Sequence, residues 1–293
     1  MNMKLFLLNA LLLVGLTPLT ALADEWQDPA TKVNYFYTPG IPSAIVTYSP
    51  DAVNANIQSA IIVDNQEYVV NKVAMWAFRL SENLQSATIP SSITIIGNQA
   101  FANCYKLESV SFAEGLQIIE DAAFHACTSL QSIHLPASVK LCGSPFQLCY
   151  NLKEITVAES NTEFDSRNNC NAIIRKSDGW LIQGCCNTVI PADVNAIGYY
   201  AFEYCQDLTS ISIPSNVEKL MSCAFMDCHY LTSLTLNEGL KEIFNQAFAG
   251  CKEITEIRIP KSVTSIMTNA FGARVFNLMY PDSVSFSSRF SFS

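Results

Sequence analysis

Eleven cysteines and three histidines are the residues of this chain best suited to chemistry, as nucleophiles, disulfide partners, metal ligands or general bases. Their spacing favours none of these roles. Cys104, Cys127, Cys149, Cys205, Cys228 and Cys251 each stand three residues after a phenylalanine. A cysteine held in phase with a large apolar residue reads as a small hydrophobe in a ladder between repeats. The remaining five, Cys142, Cys170, Cys185, Cys186 and Cys223, leave their disulfide connectivity open. Cys170 and Cys185/Cys186 flank a hairpin signal, so a cross-strand bridge competes there with free thiols. Zinc is a weak rival, because no Cys-x-x-Cys pair exists and the histidines lie far from the cysteine clusters. His134 belongs on an outward strand position and His125 and His229 on turns, all three as surface polar residues. Glu253 and Glu256 read as solvated side chains. There is no Gly-x-Ser-x-Gly elbow, no His-Glu-x-x-His and no phosphate loop. We expect no catalytic residue, no metal and no cofactor. A hydrolase would need Ser, His and carboxylate groups gathered from distant positions.

The elements that carry these residues follow from one period. Phe78, Phe101, Phe124, Phe146, Phe202, Phe225, Phe248 and Phe271 are separated by 23, 23, 22, 56, 23, 23 and 23 residues. A fixed period of this size predicts a repeat solenoid, each coil burying its apolar face against its neighbours. One arm of each coil reads Leu-x-x-Ile-x-Ile-Pro, as in Leu208/Ile211/Ile213, and its terminal alternation predicts a short strand. Pro90, Pro136, Pro191, Pro214 and Pro260 end that strand, with Ala113, Ala158 and Asn237 at the equivalent places. Stacked coils then form a parallel β-sheet on one face. The second arm carries apolar pairs such as Ile93/Ile96 and Val263/Ile266 and is expected to be irregular or to hold short helical or 3-10 turns. The step of 56 residues reflects one long coil of 33 residues, about 158–191. Its Ile173-Ile174, Ser177-Asp178-Gly179 and Leu181-Ile182 predict a projecting hairpin, either a binding element or a tolerated excursion.

The ends are distinct. Residues 1–23 combine Lys4, the apolar run Leu5–Leu16 and Ala21-Leu22-Ala23, the layout of a cleavable secretory signal peptide with cleavage expected after Ala23. No cysteine precedes Cys104, so a lipoprotein site at the new N-terminus is not expected. No later stretch is apolar enough to span a bilayer. The expected product is secreted or held at the cell surface or in the periplasm. Residues 24–59 fall outside the period, and Val33–Tyr37 and Ala44–Tyr48 predict strands of a β-rich N-terminal cap. The solenoid is expected over 60–273 and a C-terminal cap or tail over 274–293, with Val284–Phe286 and Phe290–Ser293 alternating. Net charge is −9, or −9 − 1 = −10 without Lys4, which argues against nucleic acid as a partner.

The unit with Ile-Pro, Ile-Gly (Ile96-Gly97, Ile197-Gly198) and Ala-Phe-x-x-Cys resembles the BspA-like leucine-rich repeat family over about residues 60–273. The stretch Phe164–Ile174, ending Leu181-Ile182-x-Gly184-Cys185, resembles an irregular repeat of the same family. The resemblance implies an exported bacterial binding or adhesion protein with a repeat sheet and no catalytic residues to carry over. Gly143-Ser144-Pro145-Phe146 departs from the pattern, since Pro replaces Ala and one residue is missing, so that coil is expected to be distorted.

Outward strand positions carry mostly small hydroxyl residues: Ser109, Ser111, Ser132, Ser210, Ser212, Ser233 and Thr235, with His134 and Arg258 among them. These residues, with Trp180 on the hairpin, are the candidate contacts for an extracellular or surface protein or glycan. A solubilising face with no partner is the competing reading, because the aromatic and arginine anchors of strong interfaces are scarce there. A structural or accessory role in the cell envelope is the alternative function.

Overall fold

The computed structural model describes residues 23–267, 269–272, 277–281 and 283–286. The expected signal segment lies outside them apart from Ala23, as does Phe290–Ser293.

Each regular coil contributes one outward-facing strand of up to four residues. Asn54–Asn56, Ser86–Ile89 and Ser109–Phe112 pair in parallel, as do Ser132–Leu135 with Glu154–Val157, Ser210–Ile213 with Ser233–Leu236, and Glu256–Arg258 with Asn277–Met279. Alternation decides which side chains are buried: Ile211 and Ile213 face the core while Ser210 and Ser212 face out. After the strand, proline makes the next turn, its carbonyl accepting from the residue three on (Val217 N to Pro214 O, 3.1 Å). Where proline is missing, another device holds the turn. Glu114 and Glu238 accept from two backbone amides of the next coil, and the following Gly115 and Gly239 have φ of +123° and +117°. A Cβ on Gly239 would lie 1.8 Å from the Ser215 carbonyl oxygen, so glycine is required there.

The second arm is irregular in outline but carries regular two-residue strands. Ile95–Ile96, Ile118–Ile119 and Leu141–Cys142 stack in parallel, and Ala196–Ile197, Lys219–Leu220, Glu242–Ile243, Ser265–Ile266 and Ser285–Phe286 do the same. Helix is nearly absent: among the described residues it is the single 3-10 turn Arg167–Asn169. The N-terminal segment supplies the hairpin Asp24–Gln27/Asn34–Thr38 and then Ile41–Val46, which pairs in parallel with Gln66–Val73. Asn54–Asn56 already belongs to the outward strand row, ahead of residue 60.

The corner after the second arm is built by the marker phenylalanines. Phe78, Phe101, Phe124 and Phe146 stack with centroids 4.8, 4.9 and 5.4 Å apart, and Phe202, Phe225, Phe248 and Phe271 at 4.7, 5.2 and 5.7 Å. Each buried ring contributes about 2–3 kcal/mol through removal from water. The atypical coil at Pro145 keeps its place, Phe146 being tilted 19° against Phe124. Around each ring the backbone alternates in hand. At most rings the residues two before and two after the phenylalanine adopt positive φ, as at Gln99 and Asn103 or Tyr200 and Tyr204, with Gly250 the one glycine among them and Ser144 an exception. This left-handed conformation costs about 1–2 kcal/mol per residue. It turns alternate amides toward the next coil: Trp76, Phe78 and Leu80 N–H donate to Asn98, Ala100 and Ala102 carbonyls. At the N-terminal end Ser49 N–H supplies the bond to Ala77 O. Inter-coil hydrogen bonds thus offset the local strain.

Three residues past the ring, the in-phase cysteines are buried, and all but Cys205 donate their thiols to the previous coil's Phe carbonyl, Cys104 to Phe78 O at 2.9 Å and Cys228 to Phe202 O at 3.0 Å. All eleven cysteines are free thiols, including Cys170, Cys185 and Cys186 around the hairpin.

The long coil differs from the expected projecting loop. Phe164–Asp165, Ile173–Arg175 and Trp180–Gln183 pair antiparallel, and the last continues in parallel into Ala196–Ile197. The hairpin is a part of the second-arm sheet, because Ile173, Ile174 and Leu181 are fully buried. Asn161 fixes its entry, donating to Pro136 and Val139 carbonyls and accepting from Glu163 and Phe164 amides. At the corner Gly184 takes the place of the ring: a Cβ there would sit 2.3 Å from Phe202 Cε1. The two phenylalanine stacks, and two hydrophobic clusters around them, meet at this coil.

Candidate binding groove on the outward strand face

Register places the outward side chains in two columns. One runs Asn54, Ser86, Ser109, and further on Ser132–Glu154 and Ser210–Ser233; the other runs Asn56, Thr88, Ser111, then His134–Thr156 and Ser212–Thr235, with Arg258 beyond. Paired strands are about 4.8 Å apart, so within each paired set the column side chains, most of them hydroxyls, repeat at that spacing. Some hydroxyls bond within the ladder, Ser86 Oγ to Asn54 Oδ1 at 2.7 Å and Thr156 Oγ1 with His134 Nδ1 at 2.9 Å. Those of Ser210, Ser233 and Thr235 have no side-chain partner among the described residues.

Pairing along the row lapses at three places among the described residues, and at one of them, the long coil, no outward strand forms at all. Thr188, Val189 and Ile190 stand where an outward strand belongs, but they do not join the ladder, and Ser210–Ile213 pairs only on its far side. A groove of about 600 Å³ opens at that break, lined by Thr188–Ile190, Ser210–Ser212, Pro214, Ser215, Ser233, Thr235 and Asn237. Thr188 anchors its wall, its hydroxyl donating to Asn171 O at 2.6 Å and accepting from Cys185 N at 2.8 Å. Asn237 closes the far side through Nδ2 to Ile213 O at 2.9 Å. Val189 stands 73% exposed at the rim. Every lining side chain is uncharged. Such a groove can offer hydroxyl and amide hydrogen bonds together with aliphatic contacts. It holds no acid, base or nucleophile of unusual pKa.

Of the sequence candidates, Ser210, Ser212, Ser233 and Thr235 line this groove. Ser132 and His134 lie on the strand pair before the long coil, and Ser109 and Ser111 on the three-strand segment before that. Arg258 is on the strand that follows, its side chain 79% exposed and 3.9 Å from Glu256. Trp180 is elsewhere, on the second-arm ladder, half-buried with its ring 5.4 Å from the Arg175 guanidinium. Sequence reasoning missed Val189 and Asn237. The signal was available: Val189 is two residues before Pro191, as Ser212 is before Pro214.

A second group of polar side chains gathers at the phenylalanine corner. Tyr204 lies between Tyr150 and His229, with centroids at 6.2 and 5.6 Å, and His229 Nε2 is 3.3 Å from Asp227 Oδ1. Glu203 is half-buried beside them, and burial, then the Asp227 charge, pushes its pKa up to about 7. Cys223 is the nearby thiol, and burial raises its pKa, which keeps it neutral and poorly nucleophilic. Among the described residues no three His, Cys, Asp or Glu side chains converge to hold a metal ion, and no helix is long and apolar enough to cross a membrane.

Short parallel strands repeated at a fixed period, with inward Leu and Ile ladders, define a leucine-rich repeat β-solenoid. The family model for the BspA type leucine rich repeat region matches residues 54–174 and 184–293 in six copies, and the chain belongs to that family. Similar solved structures include the pneumococcal vaccine antigen PcpA, at 18% identity over 92% of this chain and 89% of that one, with a TM-score of 0.59. A leucine-rich repeat protein from Eubacterium ventriosum matches at 18% identity over 90% and 92%, with a TM-score of 0.52. A leucine rich cell surface protein from Faecalibacterium prausnitzii matches at 20% identity over 92% and 96%, with a TM-score of 0.48. No curated protein matches.

Proposed function

We propose that the chain is an exported, non-catalytic adhesion-type protein that binds an extracellular or surface macromolecule through the outward strand face, centred on the groove at the long coil. The observation that carries this reading is the coincidence of a break in the strand row with hydroxyls that have no internal partner. The amino-terminal layout supports export with cleavage after Ala23, and the family supports a repeat scaffold used for recognition. Catalysis is not part of the role, since the histidines stand apart from any activated nucleophile. The test is binding of the protein from residue 24 onward to a panel of matrix proteins and a glycan array; silence against both defeats the proposal. Mass spectrometry of the exported product checks the cleavage position.

A second reading, a structural or accessory subunit of the cell envelope, draws on another surface. Ile41, Val69 and Ile62 lie on one face of the N-terminal cap and are 41%, 45% and 69% exposed. Three exposed β-branched side chains on one face suit a permanent contact. Co-purification with envelope fractions without detergent separates this role from that of a diffusible binder.

A further inference from the structure

Resting on the binding role proposed above, we infer that the groove between Val189 and Thr235 takes a neutral polysaccharide chain. Charge comes first. The protein carries a net charge of −9, yet no lining residue of the groove is ionisable. A sulfated or sialylated glycan requires cationic partners to replace its water, and a basic peptide requires carboxylates; the groove supplies neither. Hydrogen-bonding character comes next. A serine or threonine hydroxyl both donates and accepts, so a grid of them matches a ligand that presents hydroxyls of either sense along its length. Ser210, Ser212, Ser233 and Thr235 form such a grid, two per strand on adjacent strands. Strand spacing of about 4.8 Å and alternate-residue spacing of about 6.6 Å fix its dimensions.

The apolar part of the lining is aliphatic, with Val189 at the rim and Ile190 and Ile211 deeper. Val189 and Pro214 give surfaces for the C–H face of a sugar ring, while the groove has none of the aromatic or arginine anchors on which protein partners depend. The open shape agrees with an extended polymer better than with a small molecule, whose pocket would enclose most of its surface.

The experiment measures binding of the whole chain from residue 24 to neutral glucans, mannans and xylans, with heparin and denatured collagen as charged-glycan and protein probes. Variants are Ser212→Glu in the groove, Val189→Thr at its rim and Ser111→Glu on the same column outside it. All three positions are on the strand face, and unchanged circular dichroism and melting show that each variant folds. We expect binding to at least one neutral polysaccharide, insensitive to salt, weakened about tenfold or more by Ser212→Glu, less by Val189→Thr and not by Ser111→Glu. Binding to heparin alone, with loss in salt, overturns the inference. Binding to collagen alone, lost in Ser212→Glu, overturns it while leaving the binding role of the groove standing. Neutral-glycan binding that ignores Ser212→Glu moves the site elsewhere and overturns it. Binding to no probe overturns both the inference and the role on which it rests.

Discussion

Replacing Glu203 with glutamine is expected to stabilise the protein at alkaline pH and to do nothing in mild acid. Glu203 follows Phe202 in the corner, half-buried, with Asp227, Cys223, Tyr200 and Tyr204 the titratable groups around it. Its pKa rises from 4.5 to about 7, through burial first and then the Asp227 charge. The folded state therefore holds the proton more tightly than the unfolded chain does. The stabilising contribution of the protonated carboxyl is fully present below about pH 4.5 and is lost as pH rises through about 7. A gap of 7 − 4.5 = 2.5 pH units would amount to about 3 kcal/mol at 1.36 kcal/mol per unit. Partial exposure to water lowers this to about 1–2 kcal/mol. Urea unfolding of wild type and Glu203→Gln at about pH 5 and pH 8 measures it. The variant should gain about 1–2 kcal/mol over wild type at the higher pH and differ by less than about 0.5 at the lower. An equal difference at both pH values would refute the assignment of a buried, proton-holding carboxyl.

Two further outcomes follow from the same structure. Asn161→Ala removes four hydrogen bonds from a side chain 1% exposed, leaving backbone groups at the entry to the long coil unsatisfied, and should cost about 2–4 kcal/mol in the same unfolding assay. Alkylation of the native protein followed by peptide mass spectrometry should label Cys186 first, since it is the one thiol that is not fully buried. The ladder thiols should react only on unfolding: burial pushes Cys104 up to about 12 and raises Cys127 as well, while Cys228 is raised first by its hydrogen bond with Cys251 and then by burial.

Much of this architecture was legible in the sequence because period and alternation are properties of single residues. The ring positions, the thiol ladder and the outward serines all follow from counting. The second-arm strands did not, since two residues such as Ile95–Ile96 are too short to alternate and become strands only by pairing across coils. Asn54–Asn56 likewise has little strand propensity of its own and is held by Ser86–Ile89. Positive φ at Gln99, Ala122 or Tyr200 carries no glycine to announce it, because hydrogen bonds from the adjacent coil impose it. The groove was half visible: its hydroxyls were named, but the break that creates it depends on how Thr188–Ile190 sits beside its neighbours.

The handed alternation at the phenylalanine corner has a consequence for the field around the molecule. Amides at Trp76, Phe78 and Leu80, and again at Tyr200, Phe202 and Tyr204, all point toward the following coil. In the strand rows neighbouring peptide dipoles largely cancel, but along this edge they add, as they do in an α-helix. Each phenylalanine stack is thus a polarised filament with its amide end facing the C-terminal coils, and the carbonyl end of the first is capped by Ser49. Lengthening the array by one coil would leave those end charges unchanged and move them farther apart, so this edge has a compass direction that its side chains do not encode.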